Sequence, residues 1–311
     1  MTDIQETEPL QEDAAPPPAR EPDTPRRAGL TALLAVLVYI LFDAVLPLIH
    51  VPIRGLRAWE FLALMLAPTA VFMFLQLWMT RTFVDLGWPL GRVVFVAVAS
   101  AAAWFLILKF AYGTPHMPLA LRETIYLART IGLSLMLTIG LAFLGILLAR
   151  IIREPNVLLP VALIAMPIDY VGAMTSVGFT HSAVQHAPEI VSAVSIHVPT
   201  VRGLGIIPMI GPGDALFIAF FLAVAKNLHL NERGTFWWMY GLLTLTMFIV
   251  LLTPWPIAAL VPMGLAVIIA NFRYFHFKRA EVFAMIYAMI MIFVVVGSFY
   301  LASHHFLFRG K

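Results

Sequence analysis

The 311 residues include no cysteine, which removes disulfides, thiol catalysis and iron–sulfur ligation together. No His-Glu-x-x-His run occurs, so the helical zinc ligands of a metalloprotease are missing, and no Gly-x-Ser-Gly run offers a serine nucleophile. Charge is equally scarce. Asp, Glu, Lys and Arg together make up 12% of the chain against 61% hydrophobic residues, and the mean hydropathy is +0.91. A soluble globular domain carries about twice that charge. The bilayer is therefore the expected solvent, and no large soluble domain has room.

The basic residues give a net charge of +3 and sit at the edges of apolar runs rather than in a patch or stripe. That pattern suits contact with lipid headgroups and not nucleic-acid binding. Arginine outnumbers lysine 16 to 4 and alanine is abundant, as in a GC-rich bacterial genome. The expected location is a bacterial inner membrane.

Residues 1–28 hold seven acidic residues, three arginines and six prolines, too little apolar surface to order a chain, and read as a disordered tail. Apolar runs then recur at about 29–49, 58–80, 89–112, 128–150, 157–177, 204–227, 235–254, 256–272 and 281–302. Each is close to the roughly 20 residues that cross a ~30 Å hydrocarbon core. The expected fold is an all-α polytopic transmembrane helical bundle of about nine spans. Its parts are the tail, a four-span scaffold over 29–156, a region over 157–272, and a last span with a C-terminal tail over 273–311. Alternating sides place 12 of the 20 Lys and Arg residues in the cytoplasm if the N-terminus lies inside. The long 178–203 connection then faces outward.

Asp43, Asp169 and Asp214 fall inside apolar runs. A carboxylate at the centre of a span costs roughly 2.5 to 3.5 kcal/mol, so each needs a reason. Asp169 and Asp214 occupy consecutive runs joined by one loop, about 8 to 10 residues from it, which puts both ~12 to 15 Å below the same face. They can meet. Two facing carboxylates tend to share one proton, as an aspartic protease requires: one takes a proton from the attacking water while the other polarises the peptide carbonyl. Gly211-Pro212-Gly213 directly before Asp214 lets a substrate backbone approach the acid, and reads equally as small residues for tight helix packing.

Gly211-Pro212-Gly213-Asp214, with the apolar Ala215-Leu216-Phe217-Ile218 after it, resembles the GxGD signature of the aspartyl intramembrane proteases, the family of presenilin and signal peptide peptidase. The partner aspartate of that family lies in the preceding span, where Asp169 falls. Pro256-Ile257-Ala258-Ala259-Leu260 is similar to its Pro-Ala-Leu motif, which shapes the substrate groove. The likeness covers about 157–272. It departs in having Ile168 before Asp169, with Tyr170 after it, and in lacking an intact Pro-Ala-Leu triplet. Prepilin peptidases also carry a Gly-x-Gly-Asp acid, but the basic residue expected soon after it is absent.

The resemblance implies an endopeptidase that cuts transmembrane segments or remnant signal peptides. Asp169 and Asp214 would be its catalytic pair, and Tyr170, Gly211, Pro212, Gly213, Pro256, Ala258 and Leu260 would lie along the substrate, with no cofactor or metal. The same aspartates also fit a proton- or cation-coupled transporter or channel. A catalytically silent homologue that retains membrane proteins is a third possibility.

Loop residues His181, His186 and His197 match no metal-ligand spacing and read as solvated. The stretch 188–200 alternates partly in strand fashion and suits either a short amphipathic helix or a strand over the site, with which a peptide substrate would pair. Asp43 has no partner legible in the sequence.

Overall fold

The computed structural model describes residues 25–52, 55–111, 118–174, 188–202, 209–253 and 257–276, with scattered helical positions between 283 and 298. Tail residues 1–24, His181, His186 and Pro256 lie outside the described residues. The first helix, α1, runs Pro25–Val45, so it begins inside the stretch expected to be tail. Proline suits a first helical position because its missing N–H would have had no partner there.

Four long helices follow: α2 (Ala58–Asp85), α3 (Leu90–Phe110), α4 (Leu119–Ala149) and α5 (Pro155–Met174). A short α6 (Pro188–Ala193) leads to strand β1 (Ile196–His197), which pairs antiparallel with β2 (Met209–Ile210). Both expected forms of the 188–200 stretch are thus present, one after the other. The chain then continues as α7 (Pro212–Asn227), α8 (Glu232–Leu252) and α9 (Leu260–Asn271).

Five of these helices, over Arg26–Leu48, Ala58–Asp85, Leu90–Phe110, Leu121–Ala149 and Pro155–Gly172, are long and apolar enough to cross a membrane. They mark an integral membrane protein built as a helical bundle. By the same measure five spans stand among the described residues against the nine expected, and α7 with 16 residues and α9 with 12 fall short of a span. The expected 204–227 span is shorter than its apolar run: β2 takes residues 209–210, Gly211 is the N-cap and Pro212 opens the helix.

The short α7 is the centre of the bundle. Every residue from Ile218 to Ala225 is buried, and a helix apolar and covered on all sides must have neighbours all round. Those neighbours are α2, α4, α8 and α9. The approach of α4 is so close that a Cβ placed on Gly145 would stand 2.5 Å from the Leu216 carbonyl oxygen and 2.8 Å from the Ala219 Cβ. Only glycine fits there. On the far side α9 packs against both α5 and α8, with Gly264 facing Met166 of α5.

Two polar clamps hold this arrangement. Asn156 at the start of α5 exchanges two hydrogen bonds with the backbone of His276, donating from Nδ2 at 2.8 Å and accepting at Oδ1 at 3.2 Å. At the turn into α8, Asn271 accepts from the Asn231 N–H at 3.0 Å and donates to Thr235 Oγ1 at 2.9 Å. Such bonds satisfy backbone groups that a helix end leaves without a partner in its own helix.

Candidate active site

Asp214 stands in the first turn of α7, not well inside a continuous span as its sequence position suggests. The reason is local chemistry: Pro212 has no N–H to extend a helix backwards, while its fixed φ suits the opening position. The Asp214 carboxylate turns back and accepts the Gly211 N–H at Oδ2, 3.2 Å away. A Cβ on Gly211 would lie 3.2 Å from that same oxygen, so the glycine leaves space for the carboxylate. Gly213 is exposed and has open space where a Cβ would go. Tight packing therefore does not account for glycine at position 213, and its backbone is accessible next to the acid.

Asp169 lies near the end of α5, two residues after Pro167, one of two prolines inside that helix. Its Oδ2 accepts the Leu260 N–H at 2.9 Å. Leu260 is the first residue of α9, and the N–H groups of a first helical turn have no partner within their own helix. Both carboxylates are thus held by a free N–H at the start of a short helix, where the helix dipole favours negative charge. Each is half-buried.

A cavity of about 460 Å³ opens beside Asp169. Val161, Ala165, Ile168, Asp169 and Gly172 line it at the three- and four-residue steps of a helix face, together with Phe217 of α7 and Leu260 of α9. The lining is apolar apart from the aspartate. A furrow of this kind takes an apolar chain and offers it a single carboxylate.

Of the residues expected along a substrate, Leu260 is brought into the site, through its backbone and its buried side chain. Ala258 is buried and its carbonyl accepts the Val261 N–H at 3.2 Å, which makes it part of the turn that starts α9 and not part of the cavity wall. Tyr170, expected along the substrate, is 54% exposed and does not line the cavity, because it stands one step around the helix from Asp169. Phe217 and the α5 stripe were not singled out from the sequence, although the stripe's spacing was there to read. Asp43 is buried on α1 beside Tyr39 and away from the Asp169 cavity lining. Among the described residues no three His, Asp or Glu side chains gather as a metal site would require.

Compared with protein-family models, with curated proteins and with solved structures, the chain matches none of them.

Proposed function

We propose that the protein is an intramembrane aspartyl endopeptidase that cleaves transmembrane segments, with Asp169 and Asp214 as its catalytic pair. The observation that carries this reading is the Leu260 N–H on Asp169 Oδ2 at 2.9 Å. It ties the first aspartate to the segment resembling Pro-Ala-Leu. Asp169, Leu260 and Phe217, which follows Asp214 by three residues, line one apolar cavity, which supports the reading. A transmembrane segment is the substrate that such a lining receives.

In the reaction one carboxylate removes a proton from water as the water oxygen attacks the peptide carbonyl carbon. The other gives its proton to the carbonyl oxygen. The tetrahedral species then collapses, the C–N bond breaks, and the leaving nitrogen takes a proton from the pair. Gly211 and Gly213 keep the chain beside Asp214 thin enough for a strand of substrate to reach it.

One observation also fits the transport reading. Two short helices, α7 and α9, begin at the aspartates, much as broken helices do at transporter sites. Reconstitution in liposomes separates the two. The protease reading expects cleavage of a single-span reporter without any dependence on an ion gradient. Proton or cation flux that needs Asp169 and Asp214, with the reporter intact, would overturn it.

A further inference from the structure

The connection between α5 and α7 carries β1 and β2, and β2 runs directly into Gly211 and Asp214. What holds this strand pair is therefore what places the start of α7. Within the pair, Ile196 stands opposite Ile210 and His197 opposite Met209. Ile196 and Ile210 are both buried. Two residues per strand make too short a ladder to stand alone.

Its anchor lies in the N-terminal half of the chain. The His197 N–H donates to Ser134 Oγ of α4 at 3.2 Å, across 63 residues of sequence. Ser134 is 1% exposed, so its hydroxyl meets protein on every side. A second tie lies five residues on, where the Arg202 N–H donates to the Ile49 carbonyl at 3.0 Å and its guanidinium pairs with Glu123 of α4. That ion pair is exposed, so it contributes little. The buried serine is the stronger candidate, because loss of its oxygen leaves a backbone donor without a partner.

We infer that Ser134 is a positioning residue for the proposed reaction: by accepting the His197 N–H it fixes β1, and through the β1–β2 ladder it sets where Gly211 and Asp214 stand. The consequences for cleavage rest on the protease reading, while those for strand order do not. The N-terminal half thus gains a role beyond scaffolding.

The test uses full-length protein in lipid nanodiscs, with Ser134→Ala, Ser134→Thr and, as a control, Thr82→Ala. Thr82 is also buried, but among the described residues its hydroxyl donates to the Met79 carbonyl within α2. Amide exchange over 196–197 and 209–211 should quicken about fivefold to tenfold in Ser134→Ala, the scale of one hydrogen bond. Ser134→Thr, which keeps the acceptor, should restore it, and Thr82→Ala should leave it unchanged. In the cleavage assay Ser134→Ala should lower kcat with KM little changed. Exchange unaltered in Ser134→Ala, or Ser134→Thr as disturbed as Ser134→Ala, overturns the inference. Altered exchange with no cleavage even by the wild-type protein removes the protease reading and leaves the anchoring of the strands standing.

Discussion

The amide nitrogen of Leu260 stands 2.9 Å from Asp169 Oδ2, joining residues 91 apart in sequence. The carboxylate takes a donor that the first turn of a helix leaves free, so the bond satisfies α9 and orients Asp169 at once. Leu260 therefore contributes two separable things, a backbone donor and an apolar wall.

Leu260→Ala keeps the donor and trims the wall. It should raise KM for a single-span reporter more than it lowers kcat. Replacing the Leu260 amide by an ester, which removes only the N–H, should do the reverse and lower kcat about tenfold to a hundredfold, the range for a hydrogen bond to a charged group. Steady-state cleavage of both variants checks the split.

Gly145 and Gly264 are both too close to their neighbours for a Cβ, but they meet different atoms. At Gly145 the obstacle is the backbone of α7 at Leu216 and Phe220, which cannot step aside, whereas at Gly264 it is the side chain of Met166. Gly145→Ala should cost about 1 to 3 kcal/mol of stability, the usual price of overpacking, and lower activity by shifting α7 two residues beyond Asp214. Gly264→Ala should cost less, and Met166→Ala should suppress it. Thermal unfolding in detergent, with single and paired variants, measures both.

The reading of sequence into structure succeeded where a feature is local. The five apolar runs between 29 and 177 foretold helices long enough to cross a membrane, because each holds enough consecutive apolar residues for a span. Hydropathy did not reveal that the 204–227 run holds a strand before its helix, since a short apolar stretch reads alike in either form. The Leu260 bond, the Phe217 wall and the Ser134 anchor were hidden for another reason. Each depends on which helices pack together, and nothing in the neighbouring residues encodes that.

His197 gives the strand pair a dependence on pH. Burial pushes its imidazole down from the ordinary histidine range. Nε2 lies 3.2 Å from Ser192 Oγ, and Nδ1 is buried with no hydrogen-bond partner among the described residues. A histidine held neutral in the folded state binds fewer protons there than when unfolded, so local stability is full above the unfolded value of about 6.5 and is lost as pH falls below it. Protection of amides 196–197, taken relative to the intrinsic exchange rate at each pH, should fall as pH drops below about 6.5 in the wild-type protein, and His197→Gln should flatten the change.

The central claim is that Asp169 and Asp214 act as one unit, and paired substitution tests it most directly. Asp169→Asn, Asp214→Asn and the double variant, each confirmed to be folded, are assayed on a single-span reporter in liposomes. Groups that share one proton fail together, so each single variant should lose cleavage as fully as the double. Cleavage retained near the wild-type rate in Asp169→Asn would contradict the account.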